Sequence, residues 1–148
     1  MTFDAGRGNL GAVGLQFCSN NTGAVRNVEI ISQDGQGEIG LDLGHPDMNG
    51  PLLVRRVSVK GFRRGVVTAR AVNSQTFEHI KLTGQTEFGL DNHGQAISIR
   101  GLTSDNAVPA VRSYGTLSVG ATERHPPNIA ALFTKSADSQ HLCSEFDR

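Results

Sequence analysis

One short pattern, repeated at a nearly constant step, restricts what this chain can fold into more than any other feature. A glycine followed by an apolar pair or alternation occurs as Gly14-Leu15-Gln16-Phe17, Gly40-Leu41-Asp42-Leu43, Gly65-Val66-Val67-Thr68 and Gly89-Leu90-Asp91-Asn92. A weaker copy is Ala110-Val111-Arg112-Ser113, and the steps between copies are 26, 25, 24 and 21 residues. Between them lies a second alternating pair: Val28-Glu29-Ile30, Val57-Ser58-Val59-Lys60-Gly61, Ile80-Lys81-Leu82-Thr83-Gly84 and Ile97-Ser98-Ile99-Arg100-Gly101, with a faint fifth copy at Leu117-Ser118-Val119-Gly120. Each repeat therefore holds at least two short strands of period-two alternation. Asn20-Asn21-Thr22-Gly23, Asp47-Met48-Asn49-Gly50-Pro51, Asn73-Ser74 and Asn92-His93-Gly94 separate them, and asparagine and glycine tolerate the left-handed backbone that turns require. A hairpin sandwich places locally paired strands about every 8–12 residues. A period near 25 instead predicts a right-handed parallel β-helix, in which each coil pairs with the next.

Stacking follows from the alternation. Val28, Val57, Ile80 and Ile97 are expected to form one inward column and Ile30, Val59, Leu82 and Ile99 the next. Leu15, Leu41, Val66 and Leu90 form a third on another sheet. With 148 residues the chain is long enough for one domain, read as four to five coils over residues 1–120 and a tail over 121–148. In the tail, Ile129, Leu132 and Phe133 have i, i+3, i+4 spacing and follow Asn128, a residue type suited to a helix N-cap. The expectation there is a short capping helix or a loose tail.

Fourteen basic residues balance fourteen acidic ones, so no charge excess favours nucleic acid or an anionic membrane. Apolar runs reach only about five residues, far short of a membrane-spanning helix. Met1-Thr2-Phe3-Asp4 opens no basic and then apolar stretch, so no secretory signal is read. Cys18 and Cys143 are too few for a disulfide scaffold or a structural zinc site and are read as free thiols. Gly35-Gln36-Gly37-Glu38-Ile39-Gly40 matches the G-x-G-x-x-G nucleotide fingerprint. That site needs a helix just after the glycines to hold a pyrophosphate, and Leu41-Asp42-Leu43-Gly44-His45-Pro46 cannot supply one, so the segment is read as a turn.

Gly40-Leu41-Asp42-Leu43-Gly44, the loop Asp47-Met48-Asn49-Gly50-Pro51-Leu52-Leu53-Val54 and Val72-Asn73-Ser74-Gln75-Thr76-Phe77-Glu78 resemble the pectate lyase superfamily, including glycoside hydrolase family 28-related proteins, over roughly residues 8–115. The resemblance implies a right-handed parallel β-helix, an extracellular setting and action on, or binding of, an acidic polysaccharide. The Asn-Thr-Asp, Asp-Asp, Gly-His-Gly and Arg-Ile-Lys motifs of the polygalacturonases are not intact, and Asn92-His93-Gly94 is the nearest approach to the third. The chain thus reads as a fragment or minimal member carrying central coils.

Asp42 and Asp91 fall at the same outward position two coils apart, with Val67 between them. At about 4.8 Å per strand, their carboxylates could approach the roughly 6.5–9.5 Å separation of an inverting acid–base pair. His93, beside Asp91, is a candidate base or sugar-hydroxyl partner. Arg70 and Arg100 are candidates for binding a uronate carboxylate, which suits the planar guanidinium. No cofactor is required on this reading, although Asp42, Asp91 and Asp47 could contribute oxygens to calcium. With no Trp and only Tyr114, a broad aromatic platform for sugars is not expected. Two functions stay open: a polysaccharide lyase or hydrolase, and a non-catalytic structural or adhesin-like β-helix whose unpaired end strands invite self-association.

Overall fold

The computed structural model describes residues 1–46, 50–68 and 74–113, and the backbone of 129–136. Every regular element among them is a strand. Chain order gives β1 (Thr2–Asp4), β2 (Val13–Gln16), β3 (Gly23–Ile31), β4 (Ile39–Leu43), β5 (Leu52–Lys60), β6 (Arg64–Thr68), β7 (Ser74–Thr83), β8 (Phe88–Asn92), β9 (Ala96–Asp105), β10 (Val111–Ser113) and β11 (Ile129–Ser136). Odd-numbered strands stack in a six-stranded sheet, β1-β3-β5-β7-β9-β11, and even-numbered ones in a five-stranded sheet, β10-β8-β6-β4-β2. All pairings are parallel. The chain is a parallel β-solenoid of about four turns, as the period near 25 predicts.

Two of the expected columns hold through three coils and the third holds throughout. Leu15, Leu41, Val66 and Leu90 are in register, and Val111 extends the row. Val28–Val57–Ile80 and Ile30–Val59–Leu82 also stack as expected. The fourth coil corrects the reading: Ile80 pairs with Leu102 and Leu82 with Ser104, while Ile97 and Ile99 stack on Gln75 and Phe77. The cause is a bend. Each long strand of the six-stranded sheet turns at one residue with positive φ, and these residues stack as Asn27 (54°), Arg56 (52°), His79 (54°) and Gly101 (72°). The left-handed residue resets the alternation, so Val25 and Val28, rather than Val25 and Asn27, face inward. Gly101 looks in sequence like the glycine that ends the preceding strands, but it occupies the bend.

The glycine of the repeat also finds a physical cause. A Cβ on Gly40 would overlap Val59 Cγ1 and lie 2.7 Å from the Gly65 carbonyl oxygen. At Gly65 it would lie 2.5 Å from the Gly89 carbonyl and 3.1 Å from Leu82. The column Ile30–Val59–Leu82 therefore lands on bare backbone of the opposite sheet, and only a residue without a side chain lets the two sheets meet there. Phe62, fully buried in the turn after β5, packs in the same manner against Gly37. The resulting core of Val25, Ile30, Leu41, Val54, Phe77, Leu82, Leu90 and their neighbours runs unbroken along the axis.

The helix expected around Ile129–Phe133 is a strand. β11 pairs with β9, placing Ile129 against Ile97 and Leu132 against Ile99. Three steps on β11 match two on β9, so apolar spacing of i, i+3 is here a strand with a bulge. The unpaired N–H and C=O groups along β9 supply the template.

Candidate functional site

The outward face of the five-stranded sheet carries the row Gln16–Asp42–Val67–Asp91–Arg112, one residue per coil. Asp91 is its centre, and its carboxylate has no exposed surface. Arg112 grips it with two hydrogen bonds, Nε to Oδ1 at 2.9 Å and Nη2 to Oδ2 at 2.7 Å. His93 Nε2 lies 3.0 Å from Oδ2, and Arg64 Nη1 lies 3.8 Å from the same oxygen. The other side of Arg112 is closed by the Phe88 ring, whose centroid is 3.5 Å from the guanidinium carbon. Bidentate geometry and a cation over a ring face fix that guanidinium in one orientation.

Neighbouring charges continue the network. Arg63 bonds Glu38 at 2.8 Å and Glu87 at 3.1 Å, and Arg64 bonds Glu38 at 2.6 Å. Burial raises the Asp91 carboxyl pKa, but the hydrogen bonds and charges of Arg112 and His93 outweigh it and hold the group below the usual 3.8. Glu38 behaves alike: burial raises it, and Arg64 and Arg63 together bring it below its ordinary value. Both are ionised, tied groups, not proton donors near neutrality.

The turn carrying His93 is braced from inside. Thr68 Oγ1 donates to Asn92 Oδ1 at 2.7 Å and accepts from the His93 N–H at 3.1 Å. Asn92 Nδ2 donates to the Gln95 carbonyl and to Ser113 Oγ, and its Oδ1 also accepts from the Gln95 N–H. This polar ladder links three coils at one corner, so His93 sits on a fixed support.

The structure thus brings Asp91 and His93 together, as their spacing suggested. Asp42 shares the row of Asp91 two strands away. It accepts from Gln16 Nε2 at 2.7 Å and the Gly44 N–H at 2.8 Å, with Val67 standing between it and Asp91. Arg100 is elsewhere, exposed on β9 of the other sheet. Asp47 and Arg70 lie outside the described residues. Among the described residues no three His, Cys, Asp or Glu side chains gather as metal ligands, and Asp91 already gives both oxygens to Arg112. Cys18 is a free, exposed thiol, whereas Cys143 lies outside the described residues.

Sequence reasoning missed Arg112, Arg64 and the Glu38–Arg63–Glu87 ties. A usable signal was present. Aligning Ala110-Val111-Arg112-Ser113 on Gly89-Leu90-Asp91-Asn92 puts Arg112 directly over Asp91, and opposite charges at consecutive ladder positions read as a pair. Comparison with known protein families, with curated proteins and with solved structures finds no match to this chain.

Proposed function

We propose that this chain serves as a non-catalytic structural or adhesin-like β-solenoid. One observation carries the reading: Asp91, the best-placed candidate for catalysis, is consumed as a tie between coils. An acid–base pair needs one protonated carboxyl and one with open lone pairs facing water. Asp91 is sealed, ionised and doubly bonded to Arg112, and the residue between it and Asp42 is an apolar valine. The chemistry of this face is cohesion, joining β6, β8 and β10 through charge.

The test is to incubate the purified chain, with and without calcium, with polygalacturonate and other glycans, and to weigh the products by mass spectrometry. The expected result is intact glycan alongside a β-rich circular dichroism spectrum. Unsaturated or hydrated fragments released by the wild type, and lost in Asp42→Asn or in an Asp91→Asn sample that is still folded under the assay conditions, would overturn the reading in favour of a lyase or a hydrolase.

A further inference from the structure

The N-terminal end of the solenoid leaves its core open. Phe3 and Leu15 are only partly buried, whereas Ile30 and Leu41, their ladder partners one coil in, are fully buried. Among the described residues the large apolar side chains left exposed are Met1 at 83%, Leu10 at 66% and Val13 at 42%, and all three belong to this first coil. β1 and β2 stand last in their sheets, each with a neighbour on one side only among the described residues. Ala5 and Phe17 donate their N–H groups to the carbonyls of Ile31 and Asp42 on the next coil. Successive main-chain groups alternate between the two sides of a strand, so the N–H groups of Asp4 and Gln16 point out of the end.

This edge lacks the usual protection. Edge strands of soluble proteins are ordinarily guarded by a lysine, a proline or a bulge, and β2 has no charged residue and no proline. A chain of zero net charge also brings no overall repulsion to hold copies apart. Apolar surface is best buried against apolar surface, and the described residues offer no second group of exposed large apolar side chains. The fitting partner for this end is therefore the same end of another copy.

We infer that two copies of this chain dock N-terminal end to N-terminal end, continuing both sheets across a twofold axis. The positions of the strands suit that symmetry. A Cβ on Gly14 would overlap Ile30 Cγ2, and Ile30 is the ladder partner of Phe3. The midpoints of β1 and β2 thus face each other across the core, so one axis through both sets each strand antiparallel to its own copy. Phe3 then meets Phe3 of the second copy, Thr2 meets Asp4, Gly14 meets Leu15 and Val13 meets Gln16, and no like charges stand opposite one another. Such a contact closes at two copies and does not grow into a fibre. With long strands of nine residues at about 3.3 Å each and sheets about 10 Å apart, the end measures roughly 20 by 30 Å with its side chains. About 600 Å² per copy is the lower limit of a specific interface, so the pair is reversible. The pairing deepens the scaffold reading and rests on it.

The test is sedimentation velocity of the purified full chain from about 1 μM to about 1 mM, in reductant so that the exposed Cys18 thiol forms no bridge. A monomer–dimer equilibrium that goes no further is expected. Amide exchange at Asp4 and Gln16 should slow as the dimer fills. Leu10→Gln/Val13→Lys changes two exposed side chains and should weaken dimerisation at least about tenfold, with the circular dichroism of wild type. Lys81→Gln, exposed on β7, should leave it unchanged. A wild type that stays monomeric over this range overturns the inference, as do oligomers that grow beyond two or a dimer undiminished in the folded double variant. So does a dimer in which exchange at Asp4 and Gln16 is unaltered, a readout that needs no variant to fold. Glycan cleavage would sink the scaffold reading without moving the oligomeric state, so the two failures are distinguishable.

Discussion

The two sheets of this solenoid use the same residue types to opposite ends. On the five-stranded sheet, Arg63, Arg64 and Arg112 are each within ion-pair distance of carboxylates, and one of those carboxylates is sealed from water. On the six-stranded sheet, Arg26, Arg56 and Arg100 stand exposed at a bend. The first sheet is also the one whose backbone is pressed by the facing side chains. The contrast teaches that a ladder of identical coils need not carry identical faces. One face can hold the coils together through its charges while its neighbour leaves like residues exposed.

The contrast can be broken most severely at the glycine row. Gly40→Ala places a methyl against Val59 and the Gly65 carbonyl, and overpacking of this kind costs about 3 kcal/mol. Chemical denaturation should show it as a large fall in midpoint, or as failure to fold. Asp91→Asn should come next, at roughly 2 kcal/mol, because Arg112 and Arg64 lose their shared anion. That figure is discounted because both arginines are partly exposed, Arg112 at 24% and Arg64 at 22%.

Acid sharpens the same point. The folded-state pKa of Asp91 is depressed, so its stabilisation is present above the ordinary aspartate value of 3.8 and is lost as pH falls through the lower folded value. In that window the unfolded chain binds more protons, and stability rises with pH. Denaturation followed from pH 6 to pH 2 should therefore show a smaller decline in Asp91→Asn than in wild type. On the other sheet the sign reverses. Arg56→Asn should raise stability by about 0.5–1 kcal/mol, since asparagine accepts the 52° φ more readily and removes a like charge. Smallest of all, Arg55→Gln breaks the ion pair with Glu78 in a half-exposed setting and should change stability by no more than about 0.5 kcal/mol.

Period and alternation made the solenoid legible, because each strand pairs with a segment about one repeat away and the core columns must then repeat. The bend was not legible. Asn27, Arg56, His79 and Gly101 share a backbone conformation but no side-chain chemistry, so no letter pattern marks them. Gly101 hid the true register by copying the ending of Val57-Ser58-Val59-Lys60-Gly61. Residues Ile129–Phe133 misled for a related reason, since a bulge gives a strand the spacing of a helix. At the candidate site, Asp91 and His93 could be read from neighbouring positions in one segment. Arg112 could be read only by laying one coil on another, and Glu38 with Arg63 only by knowing where the turns between sheets fall.

The glycine row has one more consequence, for how such a chain can change over generations. Gly40 is met by Val59 from the facing sheet and by the Gly65 carbonyl oxygen from the next coil. Val59→Ala would clear only the first, so a methyl at Gly40 stays crowded by main chain that no side-chain substitution removes. A compensating change at Val59 would therefore recover only part of the loss, and the glycine is held in place by its own row as much as by its partner across the core.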